Sequence, residues 1–276
     1  MCTAISFKSD NLYFGRTLDL EYSYNETVTV TPRRYPFQFR NGTVINEHYA
    51  LIGMATVADN FPLYYEATNE KGLSMAGLNF PGNAHYFPEK DGKDNIASFE
   101  FIPWILSRCD SVQTARKLLQ NLNLTNTAFS KDFVPSPLHW IIADKAEAIT
   151  VESTIDGLQI YDNPIGVLTN NPPFSYHLTH LSTFMRLSPY PAGNSFSDKT
   201  DLKNFSRGTG ALGLPGDCTS QSRFVRATFN KLNAATFEGV TAQQMGKPVS
   251  NPCNDYTQNF ISDNTKLQIV YQDGAL

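Results

Sequence analysis

The hydrophobic period of this sequence changes twice along the chain, and that order constrains its fold more than any other feature. Thr3 to Phe7 alternates apolar and polar residues, Lys8-Ser9-Asp10-Asn11 reads as a turn, and Leu12 to Phe14 resumes an extended run that stops at Gly15. Thr27 to Thr31 is β-branched throughout and ends at Pro32, while Ala50 to Val57 and Leu73 to Leu78 read as further strands. Helical spacing then takes over. Ile96 to Leu106 reads as a helix kinked at Pro103. Asp110 and Gln113 have the spacing of a capping box ahead of a face made by Val112, Ala115, Leu119 and Leu122. Strands return at His139 to Ala143, Ala148 to Glu152 and Leu158 to Tyr161, joined by turns at Asp144-Lys145 and Asp156-Gly157. Ser222 to Leu232 predicts one more helix and Lys266 to Tyr271 a closing strand. With no repeat, low-complexity tract or long linker, residues 1–276 read as one domain of the α+β class with layered sheets and helices.

Composition narrows the function. Hydrophobic residues make up 41% of the 276, enough for an enzyme-sized core. Lys and Arg number 22 against 26 Asp and Glu, with no run of either sign, so nucleic acid is not an expected partner. The most apolar stretch, Ala50 to Ala58, is too short to span a bilayer. The first residues lack a basic and then apolar leader, and Cys2, Cys109, Cys218 and Cys253 are too scattered for a disulfide framework. A cytoplasmic protein with reduced thiols is the expectation.

Several motif-like patterns fail on context. Gly208 to Gly213 spells G-x-G-x-x-G, yet Leu214-Pro215-Gly216 follows where a phosphate-binding helix would have to start. Gly72 to Gly77 misses the nucleophile-elbow spacing by one residue. His177 and His180 are three apart with no third ligand placed nearby, so no metal is expected. Cys2 is different. Removal of Met1 would leave a residue that carries both a thiol and a free α-amine, titrating near about 8.5 and about 8 respectively, so nucleophile and general base share one residue. Arg16 and Asp19 end the hairpin that starts at Cys2, where a guanidinium favours a thiolate and a carboxylate holds an ammonium.

These segments together resemble the choloylglycine hydrolase family, the bile salt hydrolases and penicillin V acylases among the N-terminal nucleophile hydrolases. The resemblance rests on Met1-Cys2-Thr3-Ala4, Phe14-Gly15-Arg16 to Asp19 with Glu21-Tyr22-Ser23, and Asn69 to Leu73. It extends through Ala76 to Pro81, Leu168 to Pro172, and Leu214 to Asp217 with Ser222-Arg223-Phe224, in family order, over residues 1 to about 232. It implies a four-layer αββα sandwich of two antiparallel sheets between helical layers, often assembled as a homotetramer. It implies hydrolysis of the amide in glycine- or taurine-conjugated bile salts (glycocholate and taurocholate type), with no metal or organic cofactor.

Carried over by motif, Cys2 is the nucleophile, and Arg16 and Asp19 set its protonation and hold its amine. Asn79 and Asn170 donate to the oxyanion, and Arg223 braces the site. Asn79 is similar to bile salt hydrolases, whereas typical penicillin V acylases carry Tyr there. A steroid requires a broad apolar cleft, for which Leu18, Tyr24, Phe61, Tyr65, Phe129, Phe133 and Leu138 are the candidates. Ser206-Arg207-Gly208 resembles a loop variant associated with taurine preference. Residues 233–276 depart from the family, being shorter and more polar than its usual closing segment. Two alternatives stay open: a penicillin V acylase or other N-acyl amidase of the same family, and a non-catalytic truncated homologue.

Overall fold

The computed structural model describes residues 1–8, 11–19 and 21–234, and the backbone of 268–272. The chain opens with a hairpin of β1 (Cys2–Lys8) and β2 (Leu12–Leu18). A second group follows: β3 (Thr27–Thr31), β4 (Phe37–Gln38), β5 (Val44–Ile45), β6 (Leu51–Ala58), β7 (Phe61–Asn69) and β8 (Ser74–Asn79). Next come β9 (Asp94–Ala97), α1 (Phe101–Leu106), α2 (Val112–Leu119) and β10 (Leu122–Thr125). The remainder is β11 (Leu138–Ala143), β12 (Ala148–Thr154), β13 (Gly157–Asp162), β14 (Val167–Leu168), α3 (Phe174–Leu181), α4 (Ser220–Asn233) and β15 (Gln268–Gln272).

Two antiparallel sheets dominate, one in the order β13-β12-β11-β8-β7-β6-β3 and one in the order β14-β1-β2-β15. Strand alternation sends neighbouring side chains to opposite faces, and here the two faces serve different cores. Met75, Trp140 and Ile142 join α1 and α2 in one apolar cluster, while Ala76, Leu78, Ile141 and Ala143 pack with Cys2, Ala4 and Phe14 of the second sheet. Phe174 of α3 and Phe224 and Ala227 of α4 join that second cluster, and α4 packs on β1 and β14. The layers therefore run helix, sheet, sheet, helix. The αββα sandwich is present.

The helices differ in detail from their sequence signals. Ile96 and Ala97 belong to β9, a 3-10 turn covers Ser98–Glu100, and only then does α1 begin. Pro103 falls in its first turn, where a missing N–H breaks no helical bond, so no kink is required. The capping box is one residue later than expected: the Ser111 hydroxyl accepts from the Thr114 N–H, and the Thr114 hydroxyl from the Ser111 N–H. Leu122 leaves the helix to start β10. The closing strand is described over Gln268–Gln272, where it pairs antiparallel with β2; Lys266 and Leu267 of the expected strand lie outside the described residues.

Candidate active site

Register explains why Arg16 comes beside Cys2. Across the β1–β2 hairpin, Cys2 faces Leu18 and Ala4 faces Arg16, which puts all four side chains on the side of the sheet that meets its neighbour. On β7, Glu66 pairs with Ala76, an inter-sheet residue of β8, so its carboxylate also points between the sheets. Arg16 Nη1 donates to Glu66 Oε2 at 3.1 Å, with both side chains buried. Burial alone would lower the Arg16 guanidinium; the Cys2 thiol and Glu66 outweigh it and raise Arg16 above the ordinary range. Burial pushes the Glu66 carboxyl above the usual carboxylate range, and Arg16 opposes that shift.

Glu66 was not anticipated from sequence, and neither was its strand. Pro62 and a buried glutamate interrupt the alternation that marks β7, so its signal lay only in the flanking Leu63, Tyr64 and Tyr65.

Asn170 follows β14 and is almost fully buried. Its Oδ1 accepts from the Cys2 backbone N–H at 2.9 Å and from Arg223 Nη2 at 2.7 Å, which fixes which end of the amide points where. Its Nδ2 donates to the Asn79 carbonyl at 2.8 Å. Arg223, on α4, also donates from Nη1 to the Cys2 carbonyl and, at 2.8 Å, to the Thr3 hydroxyl, and from Nε to the Cys218 carbonyl. Burial pulls the Arg223 guanidinium below its usual range, with Cys2 and Asp19 opposing. Asp19 lies at the hairpin's end. Its Oδ2 is 4.0 Å from the Met1 amine, and its buried Oδ1 has no partner among the described residues.

Asn79 ends β8, exposed, and its side chain has no hydrogen-bond partner among the described residues. It faces a cavity of about 870 Å3 that is also lined by Cys2, Arg16, Asp19, Asn170 and Arg223. That volume lies within the range of about 300–1,000 Å3 typical of small-molecule sites. Of the cleft candidates, Leu18, Tyr24, Tyr65, Phe129, Phe133 and Leu138 line it. Phe61 does not; it sits behind the wall, its ring against Phe37, Phe99 and Phe129. Arg207 is exposed and is not among the lining residues.

Sequence reasoning missed Phe99, Ile102 and Trp140 in the wall. Trp140 fits because its cross-strand partner is Gly77, where a Cβ would stand 3.0 Å from the indole nitrogen. Arg40 steadies the Phe129 side of the cavity, donating to the Phe129 carbonyl at 2.9 Å with its guanidinium over the Phe99 and Phe129 rings.

A model of the choloylglycine hydrolase family of linear amide C–N hydrolases matches residues 2–244. The chain belongs to that family. It is 54% identical over 238 residues to a bile salt hydrolase/transferase of Lactiplantibacillus plantarum, covering 86% of this chain and 74% of that one. It is 42% identical over 248 residues to a conjugated bile acid hydrolase of Lactobacillus gasseri, covering 88% and 78%. The crystal structure of the C2A variant of conjugated bile acid hydrolase from Clostridium perfringens superposes with a TM-score of 0.83 at 32% identity, covering 94% of this chain and 78% of that one. The fold is thus that of the N-terminal nucleophile hydrolases.

Among the described residues Cys2, Cys109 and Cys218 are free thiols, and Cys253 lies outside them. No group of three or more His, Cys, Asp or Glu side chains is placed to hold a metal, and no helix is long and apolar enough to cross a membrane, among the described residues.

Proposed function

We propose that this chain hydrolyses the amide bond of glycine- or taurine-conjugated bile salts, with Cys2 as the nucleophile. The observation that carries the reading is the Cys2 side chain at the wall of a broad cavity, beside a buried guanidinium and facing aromatic and aliphatic side chains. The names of the relatives support the substrate class.

In the proposed course the Cys2 thiolate attacks the amide carbonyl, favoured by the Arg16 charge beside it. The negative charge that develops on the carbonyl oxygen is met by the unpartnered amide of Asn79. Asn170 enters differently from the expectation: its Oδ1 holds the Cys2 nitrogen, and one amide hydrogen is already given to the Asn79 carbonyl. With Met1 removed, the Cys2 nitrogen is an amine that Asn170 Oδ1 accepts from, and Asp19, whose Oδ1 has no partner among the described residues, lines the same cavity. The C–N bond breaks as the α-ammonium passes its proton to the departing glycine or taurine nitrogen, leaving a bile acyl thioester on Cys2. Water then adds to the thioester as the amine takes its proton, and the thiolate leaves with free bile acid released.

Ninhydrin detection of amino acid released from glycocholate, taurocholate and penicillin V, with intact mass on the same sample, tests this. Release from the bile salts by protein that lacks Met1, abolished in Cys2→Ala, supports it; release from penicillin V alone, or none at all, refutes it. A cytoplasmic location and a homotetramer belong to the same reading; the exposed Met185, Phe196, Phe205 and Leu212 support association between copies. Sedimentation equilibrium giving a monomer would refute that part.

A further inference from the structure

Two histidines outside the cavity hold the backbone on either side of Asn170. His139 Nε2 lies 2.7 Å from the Thr169 carbonyl, and His177 Nε2 lies 2.9 Å from the Asn170 carbonyl. Both rings are fully buried. Consecutive carbonyls of one loop are thus each capped by an imidazole, in a place where no strand ladder satisfies them. The rings reach further. His139 stacks on Phe80 (centroids 4.2 Å apart, planes 6° apart), the residue after Asn79. His177 stacks on Phe224 (4.8 Å, 22°), the residue after Arg223.

A third group joins the two. Glu152 Oε1 is 2.9 Å from His139 Nδ1 and accepts the Phe174 N–H, also at 2.9 Å, at the first residue of the helix that carries His177. Two rings and one carboxylate therefore connect the neighbours of Asn79 and Arg223 to the two carbonyls around Asn170. None of the three side chains is among the residues lining the cavity.

We propose that His139 and His177, tied through Glu152, are positioning residues that set where the Asn170 amide stands relative to Cys2 and Asn79. The inference rests on the catalytic reading of Asn170 given above. His177 isolates the effect best, since it makes this single hydrogen bond and its Nδ1 has no partner among the described residues. Burial lowers its imidazole to about 4, so at neutral pH the ring carries one proton, on the nitrogen that faces Asn170.

His177→Gln and His177→Leu separate positioning from packing. A glutamine amide reaches the place of Nε2 and can donate to the same carbonyl; leucine fills the space against Phe224 without a donor. Positioning predicts that kcat for bile salt hydrolysis falls about 10²-fold in H177L with KM within about threefold, as expected for a catalytic group displaced by about 1 Å. H177Q recovers to within about fivefold of wild type. A packing role predicts the opposite order, because leucine suits an apolar pocket better, and kcat in H177L at or above that of H177Q overturns the proposal.

A readout independent of turnover keeps this test separate from the assignment of the substrate. With asparagine nitrogen labelled, the Asn170 side-chain amide signals, assigned through Asn170→Asp, shift in H177L and stay near wild type in H177Q. Unmoved signals in both variants overturn the proposal even if the wild type cleaves bile salts. Shifted signals in H177L alone uphold it even if the wild type cleaves a different amide.

Discussion

Asn79→Ala tests the proposed oxyanion contact without disturbing what surrounds it. The Asn79 side chain is exposed to the cavity and unpartnered among the described residues, so its removal breaks no internal hydrogen bond. The Asn79 carbonyl that receives Asn170 Nδ2 is backbone and stays in place. Stability should therefore change by no more than about 0.5 kcal/mol, the usual range for exposed positions, and Tm by no more than about 2 °C. Loss of a single oxyanion donor costs about 2.7–4 kcal/mol in the transition state, or roughly 10²–10³ in kcat. The ground-state carbonyl demands much less of the same donor, so KM should stay within about threefold. The assay is initial-rate release of glycine from glycocholate at saturating substrate, alongside thermal unfolding of the same samples. Asn79→Asp gives the sign of the effect: nearly isosteric but negative, it should fall below the alanine variant. A kcat within about fivefold of wild type in N79A, with unchanged stability, would show that the oxyanion lies elsewhere and would refute the reasoning.

Glu66→Leu leaves the Arg16 charge buried without its carboxylate, which should cost about 3–5 kcal/mol of unfolding free energy by urea titration; Arg16→Met with Glu66→Leu should recover most of it. The neutral state of His177 gives the wild type an acid-side dependence that H177Q lacks. Between about 4, where the folded ring titrates, and 6.5, where the unfolded one does, the unfolded chain binds more protons, so stability is lost as pH falls. The span corresponds to about 3 kcal/mol, and wild-type and H177Q stabilities that fall in parallel from pH 7 to pH 4 would contradict it. Arg40→Met removes the bond to the Phe129 carbonyl and the cation over two rings, so KM for bile salts should rise about 3- to 10-fold with kcat unchanged. An unchanged KM would show that the Phe129 wall holds without it.

The fold was readable wherever one face of an element is apolar and the other is not. β1 alternates with period two and α4 repeats with the helical period, so a core face and an outer face are written into each. Reading failed where the interior is polar. β7 turns Glu66 inward, and α3 contributes His177 to the core, two residues that by composition belong on a surface. Helix boundaries failed for a smaller reason: Ser111 and Asp110 are both good caps, and the choice between them depends on the tertiary path of the loop.

The same distinction divides the site. Cys2, Arg16, Asp19, Asn79, Asn170 and Arg223 are the residues that short motifs single out in the sequence, and all six line one cavity. Their support was not found, because each supporting group is a single polar residue inside an otherwise ordinary strand or helix. Yet burial makes these groups decisive. A guanidinium beside the Cys2 thiol stays charged in a dry interior only if a carboxylate accompanies it, which is the place of Glu66. The loop that carries the Asn170 amide does not continue the strand ladder, so its carbonyls find donors from the side, as they do at His139 and His177. Such partners sit far apart in sequence: Arg16 with Glu66, Thr169 with His139, Phe174 with Glu152. No local spacing rule links residues of that separation, whereas sheet register links them directly, since Cys2, Arg16 and Glu66 all project between the same two sheets.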